Sequence, residues 1–279
     1  MAVESGKYNE AVRSAIEKIH YRMQPGELFD AADCLRLIES NTGDPYACKD
    51  MIQMHAIARA MLSWYEDSDL LGLKQWSYVA AKIRRLLYQE RPGKECRTSV
   101  YLAPLLSDDA GIIEWYKQFE YPFQPGSGTL SAMRRNNPRM NEYCHYNTLL
   151  ALRGDWEPLA RRCEEFLGEV PPRRRDYEGD HRFHLALANG DVESMAEALD
   201  QIVDPKVMKR RQEEESGTTE PFICTVAVVY AKIAWNYRHE VRISSPFVPD
   251  QWLPVAPLKH YDDVYSFVVE SDDAVPVMG

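Results

Sequence analysis

One segment in the second half of this chain occurs twice, in phase. Residues 145–167 read HYNTLLALRGDWEPLARRCEEFL, and residues 181–203 read HRFHLALANGDVESMAEALDQIV. The Gly154-Asp155 pair of the first copy recurs 36 residues later as Gly190-Asp191. Glycine readily adopts the left-handed conformation that ends a helix, and aspartate can cap the helix that follows. Each copy therefore predicts two helices joined by a tight turn.

The apolar positions of the second helix in each copy recur at the same offset. Leu159, Cys163 and Phe166 of the first copy match Met195, Leu199 and Ile202 of the second. A spacing of four and then three residues places each set on one helix face. Two such units in phase predict an all-α fold of stacked helical hairpins, close in length to tetratricopeptide-type or α-solenoid repeats. Proteins built in this way more often bind other proteins than catalyse reactions.

Helical spacing of apolar residues continues through the first half of the chain. Residues 1–23 read as one amphipathic helix, and three further apolar stripes precede the stop at Arg91-Pro92-Gly93. The stripes are Ala31, Leu35 and Ile38; Met51, Met54, Ala58, Met61 and Tyr65; and Leu73, Trp76, Ala80, Ile83 and Leu87. Residues 107–119 predict another helix, capped by Ser107 or Asp108. Residues 226–237 predict a strongly apolar helix inside the stack.

Breaks in the helical pattern suggest how the chain is organised. FQPGSG at 123–128 and NNP at 136–138 predict a boundary between subdomains at 1–128 and 129–240. From residue 241 the sequence is rich in proline and aromatic residues, so it cannot form a regular helix. Residues 241–279 are therefore predicted to form an irregular, extended segment across the helices, ending in a mobile tail at 271–279. We expect the three parts to form one continuous domain.

Composition narrows the class of protein. The formal net charge is −10, which argues against nucleic acid as the principal ligand because phosphate contacts need clustered Lys and Arg. No apolar run approaches the roughly 20 residues that span a bilayer, and residues 1–23 lack the layout of a signal peptide. The six cysteines form no C-x-x-C pair, which favours free thiols in a reducing cytosol. We expect a cytoplasmic protein that contacts neither membrane nor nucleic acid directly.

The sequence lacks the common motifs for catalysis and cofactor binding. The sequence contains no Walker loop, dinucleotide fingerprint, nucleophile elbow, zinc-protease motif or EF-hand loop. Cys144 and His145, with His181 and His184, could suggest a metal, but the repeat-equivalence of His145 and His181 favours a packing role. Paired carboxylates, such as Asp108-Asp109, are expected at helix starts or on the surface, and residues 173–175 are expected to be a solvated linker. These patterns predict no metal, no cofactor and no catalysis.

The order of three motifs resembles a known family. The motifs are RGDW at 153–156, FHLALANGD at 183–191 and VRISSPFVPDQWLP at 241–254. In this order and spacing they resemble bacterial immunity protein family forty-nine of polymorphic toxin systems, over roughly the second half of the chain. The resemblance implies a cytoplasmic protein that neutralises a cognate toxin by binding it, without catalysis or a cofactor. It assigns no set of functional residues.

The partner expected from the resemblance is the effector domain of the toxin. An acidic chain can occupy a basic substrate-binding face, and polar connections between helices can enter a cleft. The predicted contacts are Tyr177, Glu178 and Asp180 between the two repeats, and Glu213, Glu214 and Glu215 in the polar, charge-rich loop or frayed helix end predicted at 209–220. Two alternatives remain open: a helical-repeat adaptor or regulator without a toxin partner, and an enzyme with an unfamiliar active site.

Overall fold

The chain folds into helices joined by short turns. The computed structural model describes residues 2–93, 96–211 and 215–269, with side chains from residue 6 onward. These residues form fourteen α-helices and no strand. The helices are α1 Ala2–Arg22, α2 Ala31–Glu39, α3 Pro45–Tyr65, α4 Leu70–Glu90, α5 Leu102–Ser107, α6 Ala110–Gln118, α7 Leu130–Arg134, α8 Asn141–Arg153, α9 Trp156–Gly168, α10 Glu178–Asn189, α11 Val192–Ile202, α12 Pro205–Arg210, α13 Thr225–Asn236 and α14 Ser266–Val269. The predicted all-α class is confirmed.

Three helices of the first half begin directly after an aspartate whose side chain caps them. Asp30, Asp44 and Asp69 accept hydrogen bonds from backbone N–H groups in the first turns of α2, α3 and α4. These bonds satisfy donors that would otherwise lack a helical partner. Helices α3 and α4 then pack against each other along their length. This pair forms much of the core of the first half of the chain.

The two copies of the repeated segment adopt the same local structure. Helices α8 and α9 meet at Gly154 (φ +80°), and α10 and α11 meet at Gly190 (φ +70°). Both glycines have the left-handed conformation that the sequence predicts. The matched apolar positions are buried in both copies: Leu159, Cys163, Phe166, Met195, Leu199 and Ile202.

The two copies differ in how their second helices begin. Asp191 accepts a hydrogen bond from the Ser194 N–H at 3.1 Å, as predicted for a capping aspartate. Asp155 makes no such bond, so the prediction is wrong for the first copy. The residue equivalent to Ser194 is Pro158, which has no backbone N–H to donate. A proline three residues after the cap therefore explains the difference.

The structure also corrects the predicted cap of residues 107–119. Helix α6 is capped by Asp109, whose side chain accepts a hydrogen bond from the Ile112 N–H at 2.8 Å. Asp108 instead has a left-handed backbone conformation (φ +59°) that ends α5 and turns its carboxylate into the core. The expectation that this carboxylate lies at a helix start or on the surface is therefore wrong.

Asp108 is the centre of a buried group of three charges. One carboxylate oxygen accepts a hydrogen bond from Lys74 Nζ of α4 at 2.7 Å, and the other accepts one from Lys232 Nζ of α13. The backbone N–H of Ala256 also donates to this carboxylate, at 3.1 Å. Burial lowers the pKa of Lys232, whereas the charge of Asp108 opposes that change. The Lys74–Asp108–Lys232 triad thus joins two helices to the C-terminal segment.

Between α13 and α14 the described C-terminal segment forms no α-helix and no strand, only a 3-10 helix at Asp250–Trp252. The short helix α14 at Ser266–Val269 departs from the extended path that the sequence predicts. Lys74 Nζ donates to the carbonyl oxygen of Ala256 at 2.5 Å, and Lys232 Nζ donates to that of Leu253 at 3.3 Å. Trp252 and Leu253 are buried, and Trp252 contacts the ring of Trp64 in α3. Residues 271–279, predicted as a mobile tail, lie outside the described residues.

One hydrophobic cluster extends from Ala15 in α1 to Val268 in α14. It therefore includes residues from all three predicted parts of the chain. The boundaries at 128/129 and 240/241 stay predictions. All six cysteines are free thiols, and five of them are buried.

Asp191 and Asp155 occupy equivalent positions, but only Asp191 makes a capping hydrogen bond, so the pair allows a matched comparison of stability. Replacing Asp191 with alanine should lower the midpoint of thermal unfolding by about 2 °C, because it removes a helix cap. Asp155→Ala should lower it clearly less, since the Asp155 side chain makes no cap hydrogen bond. Thermal unfolding followed by circular dichroism compares the two variants. Equal losses would contradict this account of Pro158.

Removing the carboxylate of the triad should lower the stability of the fold far more than removing a helix cap does. Asp108→Ala leaves two buried ammonium groups without their anion, so the free energy of unfolding should fall by about 3–5 kcal/mol. Urea denaturation of the purified variant measures the loss. The exposed Asp262→Ala is the control and should change the stability little. A similar small effect of Asp108→Ala would show that the triad does not stabilise the fold.

Candidate partner-binding surface

The connection between the two repeat units is anchored to the helices on both sides. A 3-10 helix at Pro172–Tyr177 leads directly into α10. The expectation that residues 173–175 form a solvated linker is wrong for Arg174. Its side chain is buried, and its guanidinium lies over the ring of Tyr177, 3.4 Å from the ring centre. Its guanidinium also donates hydrogen bonds to Asn141 and Cys144 of α8. The aromatic ring and these acceptors replace water around the charge.

Two of the predicted partner contacts lie inside the protein. Tyr177 and Asp180 have exposed fractions of 5% and 1%. Arg211 donates to both carboxylate oxygens of Asp180, at 2.7 and 2.9 Å, and the Tyr230 hydroxyl donates to the same carboxylate at 2.8 Å. The expectation that these residues lie on an exposed loop is therefore wrong. A partner could reach them only by opening the buried ion pair.

Electrostatics explain why Arg211 remains charged in this position. Burial by itself lowers the pKa of its guanidinium, but the charge and hydrogen bonds of Asp180 raise it more, to well above the usual value. The guanidinium also lies 4.3 Å from the ring centre of Tyr177. The Asp180–Arg211 pair is thus a structural connection between α10 and the chain that follows α12.

The remaining predicted contacts differ in accessibility. Glu178 is half-buried and pairs with Arg182 one turn later in α10, at 3.4 Å. Glu215 is also half-buried, and it accepts hydrogen bonds from the backbone N–H and the hydroxyl of Thr225 at 2.7 and 2.5 Å. These bonds position Glu215 at the start of α13. Glu213 and Glu214 lie outside the described residues.

Glu178 borders a shallow groove of about 560 Å³ between the start of α10 and the end of α11. Arg175 and Arg210 also line this groove, and Arg210 pairs with Asp176 at 2.5 Å. The acidic residues of its lining are Asp176, Glu178, Asp200 and Asp204. The groove therefore continues onto the outer surface of α11.

The outer surface of α11 carries an acidic face. Glu193, Glu197 and Asp200 are exposed and lie within about 60° of one another around the helix, at about 100° per residue. The described residues provide none of them with an ion-pair partner, and α11 contains no Lys or Arg. Like charges three and four residues apart destabilise a helix by a few tenths of a kcal/mol each. The arrangement therefore has an electrostatic cost that a basic partner would relieve.

The equivalent helix of the first repeat is different. In α9 the positions that match the acidic face are Glu157, Arg161 and Glu164, all of them exposed. A positive charge thus lies between two negative ones, and the helix face is mixed. The comparison within one chain shows that the repeated fold does not itself require an acidic face on α11.

Sequence reasoning missed the acidic face, although a signal for it was present. Glu193, Glu197 and Asp200 follow a spacing of four and then three, on the side of the helix opposite the stripe of Met195, Leu199 and Ile202. Charge sorted by helix face, rather than by segment, reveals this pattern in the sequence.

The histidines considered as metal ligands form part of the core. His181 is stacked on Phe166 with ring centres 3.6 Å apart, and its Nε2 lies 3.5 Å from Cys144 Sγ. His184 is fully buried, and neither of its ring nitrogens has a hydrogen-bond partner. Within the described residues, no group of three His, Cys, Asp or Glu side chains has the arrangement of a metal site. Ring packing accounts for the contacts of His184, whereas His181 combines ring packing with polar contacts to Cys144 and Asn147.

Comparison with protein-family models, with curated proteins and with solved structures found no match to this chain. None of the helices in the described part of the chain is long and apolar enough to cross a membrane.

Buried His184 should make the stability depend on pH. Burial lowers its pKa to about 3, whereas the same side chain in the unfolded chain has a pKa near 6.5. The unfolded state therefore takes up a proton first as the pH falls below about 6.5, and the folded state is destabilised. This group should cost about 2 kcal/mol between pH 7 and pH 5.

Urea denaturation at pH 7 and at pH 5 measures this loss. His184→Leu should lose less stability over that interval than the wild type, because the titrating group is gone. His260, which is exposed, provides the control, and His260→Leu should keep the pH dependence of the wild type. An unchanged pH dependence in His184→Leu would contradict the assignment.

Proposed function

We propose that this protein is an immunity protein that neutralises a cognate bacterial toxin by binding it and blocking its active site. The observation that carries the proposal is the acidic face of Glu193, Glu197 and Asp200 on α11, to which the described residues provide no ion-pair partner. The resemblance of the sequence motifs suggests that the partner is a toxin, and the negative charge of the face suggests that the contact surface of the toxin is basic. The proposed mechanism needs no cofactor and no catalysis by this chain.

The physical basis is mimicry of a negatively charged substrate. A toxin that acts on nucleic acid or on a phosphorylated nucleotide needs a basic substrate-binding face. Carboxylates at a helical spacing can occupy such a face and exclude the substrate. Opposite charges also steer the two proteins together, which raises the association rate most strongly at low salt. Fast association suits an inhibitor that must act before the toxin reaches its substrate.

The fold supports such a surface well. The inner side of α11 is buried against α10 and α13 through Met195, Leu199 and Ile202. The acidic residues therefore project from a packed helix, and little backbone order has to be gained on binding. We further propose that α8–α9 and α10–α11 are tandem units of a stacked helical-hairpin repeat, with the partner bound on the second unit.

Co-expression tests the function directly. A toxin reading frame adjacent to the gene is expressed in a sensitive host with and without this protein, and growth and complex formation are scored. Restored growth together with a stable one-to-one complex is the expected result. A stable complex with a different protein, without protection, would favour the adaptor alternative. Absence of both protection and binding would reject the immunity proposal.

Charge reversal on matched helices tests the binding surface. The triple variant Glu193→Lys, Glu197→Lys, Asp200→Lys should slow association with the toxin at least tenfold and weaken its salt dependence. The control carries Glu157→Lys and Glu164→Lys at the equivalent positions of α9, and its association rate should stay within about twofold. Stopped-flow or surface-binding kinetics measure both.

Circular dichroism should show that both variants keep the helical fold, because all the altered side chains are exposed. If the α11 variant associates as fast as the wild type, the acidic face is not the contact surface. Protection in the co-expression assay would then still support immunity through another surface.

A further inference from the structure

A cavity of about 350 Å³ lies on the side of the core formed by α3, α4, α5 and the turn before α13. At about 30 Å³ per water in the liquid, its volume equals that of about a dozen waters. This is within the range of small-molecule sites in proteins. The cavity does not include the acidic face of α11, and neither the proposed function nor the sequence motifs use it.

The floor of the cavity is apolar. Ile57 from α3 and Leu102 and Ala103 from α5 line it and are themselves largely buried, and Val100 lies nearer the surface. Water in contact with such a floor gains few hydrogen bonds. A ligand that places an apolar chain there would release that water and bury apolar area on both sides. The floor therefore favours a ligand with a hydrocarbon body.

One wall carries hydrogen-bond donors with unused capacity. Arg84 donates through Nη2 alone, to Gln53 Oε1 at 2.8 Å, and the same Nη2 lies 3.0 Å from Asp50 Oδ1. Within the described residues, Arg84 Nε and Nη1, the Gln53 side-chain amide and the Ser99 hydroxyl donate to no acceptor. Arg84, Gln53 and Ser99 all line the cavity. The wall thus offers donors in excess of acceptors.

Within the described residues, both charged side chains that line the cavity are arginines. Arg84 and Arg97 line the cavity, and no Asp or Glu among the described residues does so. Guanidinium groups and neutral donors together match the oxygens of a carboxylate, which accept several hydrogen bonds at once. The wall therefore favours an anionic group at one end of the ligand.

We propose that this cavity binds a small carboxylate that carries an apolar chain. The carboxylate accepts hydrogen bonds from Arg84, Gln53 and Ser99, and the chain lies on Ile57 and Leu102. Bound ligand would connect α3, α4 and α5 and so stabilise the first half of the fold. The proposal does not depend on toxin binding, and it can succeed or fail separately.

Calorimetry with three probes tests the two parts of the ligand. Octanoate, below the concentration at which it forms micelles, should bind the full chain one-to-one and raise the midpoint of thermal unfolding. Octan-1-ol, which lacks the charge, and inorganic phosphate, which lacks the chain, should each bind at least tenfold more weakly. Binding of octanol or phosphate as tight as that of octanoate would overturn the proposal, as would no binding of octanoate at millimolar concentration.

Variants then locate the site. Arg84→Gln should weaken octanoate binding at least tenfold, whereas Arg182→Gln, an exposed arginine on α10 far from the lining, should bind as the wild type does. Val100→Phe, which fills the mouth of the cavity from a half-buried position, should also abolish binding, and it decides the matter if Arg84→Gln does not fold. Octanoate affinity unchanged in folded Arg84→Gln or in Val100→Phe would overturn the assignment to this cavity.

Discussion

The buried triad of Lys74, Asp108 and Lys232 is the interaction on which the arrangement of the chain most depends. Its members lie in α4, at the end of α5 and in α13, and the C-terminal segment completes it through Leu253 and Ala256. Two ammonium groups share one carboxylate, so the carbonyl oxygens of that segment have to supply the remaining acceptors. A buried charge without its partners is strongly destabilising. The helices and the C-terminal segment must therefore be assembled together.

The ion pair of Asp180 and Arg211 serves the second repeat in a similar way. It fixes the start of α10 to the chain after α12, and the Tyr230 hydroxyl connects the same carboxylate to α13. Both the triad and the Asp180–Arg211 pair place charged side chains in a core that is otherwise largely apolar. Because their hydrogen bonds are directional, they specify one arrangement of neighbouring helices, which apolar packing alone specifies less strictly. The acidic face on α11 is thereby held at a defined position.

The sequence predicted local structure well and long-range burial poorly. The stripes of α3 and α4 and the left-handed Gly154 and Gly190 follow from spacing and backbone preference, which are local properties. Asp108 and Asp109 are adjacent and chemically identical, yet one is buried and the other caps a helix. The difference arises from Lys232, which lies 124 residues further along the sequence and donates a hydrogen bond to Asp108 and not to Asp109. The burial of Tyr177 and Asp180 likewise depends on a distant residue, because both contact Arg211, which lies beyond the second repeat. The acidic face was within reach of sequence reasoning, because it depends on helical spacing alone.

Burial of basic residues also changes what the surface presents to a partner. Among the described residues, five basic and three acidic side chains are buried: Lys74, Lys82, Arg174, Arg211 and Lys232, and Asp108, Glu142 and Asp180. The interior therefore holds a formal excess of two positive charges, and the rest of the chain carries −12 rather than the −10 of the whole. Within the described residues, the exposed carboxylates on the outer face of α11 have no ion-pair partner, so their charge is not neutralised locally.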